Sequence, residues 1–210
     1  MSKIHIVKQG DTLSKLAKKY GFNNWRKIYD HSDNAELRQK RTNPNILYPG
    51  DKVFIPDKTL MDESDETEKR HTFRIKKDKL WLRIFLKGFC DDQQFSGKPY
   101  RLRVKNQIFE GTTDSDGMLE HEIPSGTNTG MLIIEDKEYS LKIGHLDPID
   151  TVTGWQARLN NLGYNAGKVN GKSNNQTFSA IEEFQCDHDL KVDGIAGSNT
   201  QTKLEEVHGC

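Results

Sequence analysis

An acidic stretch in the first third of the chain places the strongest constraint on the fold. Residues 62–68 read Asp-Glu-Ser-Asp-Glu-Thr-Glu and contain no side chain that can join an apolar core. Such a stretch cannot bury enough apolar area to offset the loss of chain entropy. Residues 58–70 are therefore predicted to form a flexible acidic linker that acts as a mobile tether. The alternative is a charged docking strip. The hydrophobic pattern also changes across this stretch, from a helical period to a period of two. The 210 residues therefore predict several small modules rather than one domain.

Charge and hydropathy argue against two classes of partner. The chain has 31 basic and 31 acidic residues, so it lacks the basic excess with which duplex binders neutralise phosphates. No apolar run approaches the ~20 residues that span a bilayer, and the first residues show no apolar core of a signal peptide. We therefore predict no nucleic-acid binding and no membrane insertion. We also expect synthesis in the cytoplasm without a signal peptide, with action there or arrival in the periplasm or exterior by a non-Sec route.

The first module, residues 1–57, has the pattern of a strand, two helices and a strand. Residues 4–7 form a short apolar strand, and residues 53–55 form a closing strand before a proline. Between them, apolar residues recur at the spacing of one helix face. These residues are Leu13, Leu16, Ala17 and Tyr20.

This module resembles a LysM domain. The resemblance rests on residues 6–13 (IVKQGDTL), residues 16–21 (LAKKYG) and residues 43–56 (NPNILYPGDKVFIP). It implies binding of N-acetylglucosamine chains in a shallow groove between the loop after the first strand and the loop before the last. The implied groove residues are Gly10, Asp11, Thr12, Leu13, Asn45, Ile46, Leu47 and Tyr48. The alternative is that these residues only build turns and caps.

Residues 30–42 form a longer connection than the LysM pattern usually has. This insertion is expected to lengthen the second helix or to crowd the groove. The enlarged form is similar to LysM folds of phage-tail-like assembly proteins, in which such a fold can dock to a protein without binding sugar.

The middle module, residues 71–147, alternates apolar and polar residues with a period of two, as in Tyr100, Leu102 and Val104. Several short strands with this pattern predict an antiparallel β-sandwich. Residues 109–119 resemble a strand–turn–strand hairpin of transthyretin-like sandwich domains. Asp114, Asp116 and Gly117 are similar to half of a calcium loop, but the further oxygen ligands are missing, so a β-turn is predicted.

The last module, residues 148–210, combines helical stripes with an internal repeat offset by 23 residues. The stripes are Val152, Trp155, Leu159 and Leu162, then Phe178, Ile181 and Phe184, then Leu204 and Val207. The repeat pairs residues 168–171 (KVNG) with residues 191–194 (KVDG), and a threonine follows each copy at the same distance. We expect the valine to pack inward, the Asn/Asp-Gly pair to turn the chain, and a polar residue to cap the next helix.

This pattern resembles the three-helix peptidoglycan-binding domain that is often attached to wall hydrolases. The resemblance rests on Gln156, Leu159, residues 162–164, residues 169–171, Thr177, residues 180–181, residues 184–185, Leu190, residues 192–194 and Thr200. It implies a shallow groove near the loop glycines, with Asn170, Asp193 and Thr200 as candidate ligand contacts. A turn or cap role for these three residues is an equal alternative.

No constellation of residues predicts catalysis. The seven histidines are scattered, and none shows the spacing of a helical zinc site. His145 and Asp147 lack a third ligand, and the segment 208–210 (HGC), similar to the surroundings of some transpeptidase nucleophiles, has no predicted sheet around it. Cys90, Cys186 and Cys210 do not form a disulfide framework, and the sequence leaves open whether the last two pair. We predict no catalytic residue, no metal site and no cofactor.

These patterns predict a multidomain α+β protein that binds peptidoglycan glycan chains without catalysis. The alternative is a structural or cargo-adaptor part of a contractile injection system, of the type VI secretion or phage-tail-like kind. In that role, which the combination of modules resembles, the partners are tube, spike or effector proteins and sugar binding is reduced or lost.

Overall fold

The computed structural model describes residues 2–58, 80–86 and 95–209. It is multidomain α+β, as predicted, and it divides into two compact units, residues 1–145 and residues 146–210. The predicted tether, apart from Lys58, lies outside the described residues, as do Cys90 and Cys210. Cys186 is an exposed free thiol. Within the described ranges, no helix is both long and apolar enough to cross a membrane.

The N-terminal module packs short helices against a two-stranded antiparallel sheet. Its elements are β1 Lys3–Ile6, α1 Leu13–Tyr20, α2 Arg26–Tyr29, a 3-10 turn Ser32–Asn34, α3 Ala35–Lys40 and β2 Lys52–Ile55. Helix α1 begins after Thr12, whose hydroxyl accepts the N–H of Lys15, and ends at Gly21, where a φ of 73° favours glycine. Strands and helices share one core. Its members are Val7, Leu13, Leu16, Ala17, Ile28, Tyr29, Leu37, Leu47, Val53 and Ile55.

The long connection does not lengthen α2, as was one expectation; it adds a third helix, α3. Asn34 ties this connection to the sheet, because its side-chain amide donates to the carbonyls of Ile28 (2.7 Å) and Phe54 (2.8 Å). The Asn34 side-chain oxygen accepts the N–H of Phe54 at 2.8 Å. Leu37 of α3 enters the core. The order is therefore strand, three helices, strand instead of the two-helix βααβ order.

The middle module consists of two antiparallel sheets. Its strands are β3 Leu80–Phe85, β4 Pro99–Val104, β5 Gln107–Thr112, β6 Met118–Ile123, β7 Thr129–Ile134 and β8 Lys137–Lys142. One sheet pairs β3 with β6, and the other has the order β5-β4-β7-β8. Leu119 and Ile123 of the first sheet share a core with Leu102 and Leu132 of the second. This sharing is in keeping with the predicted sandwich, and the transthyretin-like assignment stays a prediction.

The segment 109–119 is not the expected hairpin, because β5 pairs with β4 whereas β6 pairs with β3. The turn between them carries the chain from one sheet to the other. It is the predicted β-turn: the Asp114 carboxylate accepts the N–H groups of Asp116 (2.9 Å) and Met118 (2.8 Å).

The C-terminal module consists of α4 Val152–Asn161, α5 Asn175–Asp187 and α6 Ser198–His208. The predicted stripes meet in one core, with two exceptions: Val152 is not a member of this core, and Phe178 is 45% exposed. Ala180 takes the inward position beside Ile181 on α5. The buried members of this core are Leu159, Tyr164, Ala166, Ala180, Ile181, Phe184, Ala196 and Leu204.

Candidate functional site

The two predicted groove loops of the N-terminal module leave the sheet at the same end. Val7 donates its N–H to the carbonyl of Asp51, and Gly50 donates to the carbonyl of Val7, both at 2.9 Å. The loop after β1 therefore starts beside the loop before β2, and Leu13 and Leu47 join the two loops through the core.

The eight predicted groove residues divide into a supporting set and an accessible set. Leu13, Ile46 and Leu47 are buried and support the loops from below. The accessible set consists of Gly10, Asp11, Thr12, Asn45 and Tyr48. Only this second set has surface to offer a sugar.

A hydrogen-bond network fixes the first loop from inside. His5 is buried, and its ring nitrogens contact the Asp11 carboxylate and the Tyr20 hydroxyl, both at 2.9 Å. The same carboxylate oxygen accepts the N–H of Lys8 at 2.9 Å. Burial opposes ionisation of Asp11, but the hydrogen bonds from His5 and Lys8 outweigh it, and the pKa of this carboxyl lies below its ordinary value. Asp11 is therefore a charged anchor of the loop as well as a groove residue.

A buried ion pair fixes the second loop. The Arg41 guanidinium donates to both oxygens of Asp51, at 2.8 and 3.3 Å, and Lys40 lies 3.1 Å from one of them. The Asp51 carboxylate also accepts the N–H of Tyr48 at 2.9 Å. Burial raises the pKa of Asp51, but these bonds more than offset it, so the pKa is lowered. Sequence reasoning missed this pair because no local pattern links Arg41, in the long connection, to Asp51.

In the C-terminal module, one buried glutamine holds the first copy of the repeated loop. The Gln156 side-chain oxygen accepts the N–H groups of Asn170 (3.0 Å) and Gly171 (3.1 Å). Its amide nitrogen donates to the carbonyl of Lys172 (3.0 Å) and to the hydroxyl of Thr177 (3.2 Å). Gln156 is fully buried, so its four bonds are shielded from water.

Gln185 makes the same four contacts with the second copy and one more, because its amide nitrogen also donates to the Asp193 carboxylate at 3.0 Å. Its oxygen accepts the N–H groups of Asp193 (2.9 Å) and Gly194 (3.0 Å), and its amide donates to the carbonyl of Ile195 and the hydroxyl of Thr200, both at 3.0 Å. The repeat in the sequence is therefore a repeated loop with a repeated glutamine clamp. The glutamines themselves are 29 residues apart, not 23, which is why the sequence repeat alone did not pair them.

One expectation for this repeat is confirmed in the first copy and wrong in the second, and another is wrong in both copies. A polar residue, Asn174, caps α5 by accepting the N–H of Thr177, but the N-cap residue of α6 is Gly197, which has no side-chain cap bond. Thr177 and Thr200 lie further into their helices and bond to the clamps. Val169 and Val192 do not pack inward: they are 49% and 54% exposed, since the glutamine contacts, not the valines, hold the loops.

The three candidate ligand contacts of this module all have structural roles. The side-chain oxygen of Asn170 accepts the N–H of Lys172, and that of Asp193 accepts the N–H of Ile195. Thr200 is buried against the clamp. Asn170 and Asp193 are nevertheless exposed residues, and the loops also expose apolar side chains, with Ile195 63% and Val192 54% exposed.

The other candidate chemistry does not assemble into a site. In the described part of the chain, no group of three or more His, Cys, Asp or Glu side chains is arranged to hold a metal ion. His208 lies 3.0 Å from the Asn161 amide, and the ring of His145 lies against Gly10 of the first groove loop.

Comparison with known families confirms both resemblances at the ends of the chain. A LysM domain model matches residues 5–28, and a model described as a putative peptidoglycan binding domain matches residues 150–204. Both models describe binding modules. No solved structure matches the chain.

Three curated relatives share short segments with the chain. The spore coat assembly protein ExsA of Bacillus cereus is 43% identical over 28% of this chain, the spore cortex-lytic enzyme of Oceanobacillus iheyensis 41% over 25%, and SpoIVD-associated factor A of Bacillus subtilis 39% over 26%. The chain covers only 8%, 19% and 12% of these proteins, respectively. The likeness to the cortex-lytic enzyme is confined to the binding-domain region.

Proposed function

We propose that the protein binds peptidoglycan through two modules, LysM at one end and the three-helix domain at the other, and that it has no catalytic activity of its own. The observation that carries the proposal is the match of two separate segments to two different wall-binding families. The names of the relatives add a setting, because they refer to spore coat assembly and to lysis of the spore cortex. A role at a bacterial wall layer is the common element.

The geometry supports binding over catalysis. Each candidate binding surface consists of loops held from inside by buried hydrogen bonds, with the Arg41–Asp51 pair under one and the two glutamine clamps under the other. Loops fixed in this way lose little conformational freedom on binding, which favours a shallow, weak and specific contact with a glycan. Two weak sites in one chain then gain affinity through effective concentration on a polymeric ligand.

Co-sedimentation with purified peptidoglycan sacculi tests the proposal on the full chain. The wild-type protein is expected to pellet at micromolar concentration, and a variant with Asn45→Ala and Tyr48→Ala is expected to pellet less. The matched control is Asn23→Ala, an exposed asparagine away from both groove loops. Absence of the wild-type protein from the pellet would contradict peptidoglycan binding.

The adaptor role in a contractile injection system stays a prediction. An adaptor would pellet with sacculi only when a tube, spike or effector protein is present. The same assay, repeated with and without such a protein, therefore separates the two roles.

A further inference from the structure

Three lysines converge beside the first groove loop of the LysM module. Lys15 and Lys18 lie one turn apart on α1, and Lys105 lies in the turn between β4 and β5 of the same compact unit. The ammonium groups of Lys18 and Lys105 donate to one acceptor, the carbonyl of Ser125, at 3.5 and 3.3 Å. They therefore lie within about 7 Å of each other, a range at which like charges repel near a protein surface. We refer to Lys15, Lys18 and Lys105 as the lysine cluster.

The lysine cluster forms no ion pair with a carboxylate in the described part of the chain. Asp11 faces Lys15, but its carboxylate is engaged by His5 and by the N–H of Lys8. Burial lowers the pKa of Lys15, the charge of Asp11 raises it, and the charge of Lys105 lowers it to a smaller extent. An anion beside Lys18 and Lys105 would supply the ion-pair partner that these two lysines lack among the described residues.

The cluster is continuous with the predicted groove. The Lys15 ammonium donates to the carbonyl of Gly10, and the Lys15 N–H is held by the Thr12 hydroxyl, so this lysine is bonded to two groove residues. The segment that follows β8 borders the same place: a Cβ at Gly144 would lie 2.7 Å from the Thr12 methyl group. An anion at the cluster would thus lie beside a sugar in the groove.

We propose that the lysine cluster binds carboxylate groups of peptidoglycan stem peptides while the groove binds the glycan to which those peptides are attached. The proposal rests on the proposed function and deepens it, because it names an anionic wall glycan as the ligand in preference to a neutral N-acetylglucosamine polymer. A carboxylate is an acceptor-only group that can replace the Ser125 carbonyl as a partner for the ammonium groups of Lys18 and Lys105.

Calorimetric titration of the full chain with three ligands tests this assignment. The ligands are soluble peptidoglycan fragments with free stem carboxylates, the same fragments with those carboxylates amidated, and neutral N-acetylglucosamine oligomers. The test variant carries Lys18→Gln and Lys105→Gln, and Lys15 is kept because it also supports the groove loop. The control variant, with Lys27→Gln and Lys137→Gln, removes the same charge from exposed lysines elsewhere in the unit.

The test variant is expected to bind the free-carboxylate fragments about fivefold more weakly, as the loss of two exposed charge contacts implies. Its affinity for the amidated fragments and the neutral oligomers should stay within about twofold of wild type, and the control variant should match wild type on all three ligands. Equal weakening on the neutral oligomers, or no weakening at all, overturns the proposal.

Two further outcomes separate this proposal from its premises. If the wild-type protein binds none of the three ligands, the proposed function and this site both fail. If the wild-type protein binds neutral oligomers but shows no preference for free carboxylates, only the site fails.

A second source of anions, the phosphate polymers of the wall, is tested by co-sedimentation with sacculi before and after these polymers are removed. If the test variant binds more weakly than wild type only to the sacculi that carry phosphate, the carboxylate assignment is overturned.

Discussion

Gln185 is the residue on which the second repeated loop depends. Replacing it with leucine leaves the N–H groups of Asp193 and Gly194 without their acceptor. An unsatisfied buried N–H costs about 1–3 kcal/mol, so we expect the free energy of unfolding of the C-terminal module to fall by about 3 kcal/mol. Native-state hydrogen exchange of the α5 and α6 amides measures this loss. Gln201→Leu is the control, because Gln201 makes a single side-chain bond to the carbonyl of Ala196, and equal losses in the two variants would contradict the clamp.

Asp51 predicts an acid dependence of the N-terminal module. Its folded-state pKa is lowered by the bonds from Arg41 and Tyr48, which outweigh burial. The stabilisation is therefore complete above the unfolded pKa of about 4 and is lost as the pH falls through the lower folded value. Asp51→Asn should remove this acid-dependent loss and, because Arg41 stays buried without its charged partner, should cost about 3–5 kcal/mol at pH 7.

Urea unfolding between pH 2 and pH 7 checks this prediction. The control is Asp33→Asn, because Asp33 is exposed and its ring partner His31 lies 3.9 Å away. A parallel pH profile in wild type and Asp51→Asn would show that the buried pair does not control acid stability.

At the scale of elements, the turn between β5 and β6 is the point where the chain changes sheets. Gly117 has a φ of 77° there, and an added Cβ would lie 2.6 Å from the carbonyl oxygen of Leu86. Gly117→Ala is therefore expected to cost about 2–4 kcal/mol, from backbone strain together with the clash. Gly97→Ala is a matched control, because Gly97 has a φ of 65° but open space at the Cβ position, and about 1 kcal/mol is expected there. Thermal unfolding of the two variants compares them, and equal destabilisation would exclude the contact with Leu86.

The elements also show why part of the fold could be predicted from the sequence. Helix α1 has a complete apolar face, a capping threonine and a terminal glycine, so local signals agree and its position was predictable. Helix α3 contributes only Leu37 to the core, too little for a periodicity to show. The pairing of β6 with β3 instead of β5 was not predictable, because alternation identifies a strand but does not identify its partner.

The site was predictable to the level of loops but not of contacts. The LysM and repeat patterns correctly located the turns, because turn chemistry is local. The clamps of Gln156 and Gln185 act on loops several residues away along the chain, and such bonds leave no periodic signal. The exposure of Val169 and Val192 follows from the same cause, since polar bonds replaced the apolar anchors that the pattern indicated.

At the scale of the whole molecule, the two units combine sites of different construction. The first unit presents the polar groups of the LysM loops and the lysine cluster, whereas the loops of the C-terminal module also present exposed apolar side chains such as Val192 and Ile195. Under the proposed function and the carboxylate assignment, the first surface takes sugars and carboxylates, and the unlike surface of the C-terminal module is expected to take a different part of the wall polymer. A chain with two unlike weak sites binds selectively where both features occur together.

This combination predicts avidity that depends on ligand length. Asn45→Ala with Tyr48→Ala disables one surface, and Val192→Asp with Ile195→Asp disables the other by placing carboxylates on exposed positions. Each variant should lose on the order of 100-fold in apparent affinity for intact sacculi, because either loss removes the effective concentration that links the sites. Soluble fragments too short to occupy both surfaces should not show this linkage. On such fragments, a variant with all four substitutions should lose only the sum of the binding free energies lost by the two double variants. Ile108→Asp, an equally exposed position on β5, is the control, and a single-site variant that keeps full affinity for sacculi would show that one module alone carries the binding.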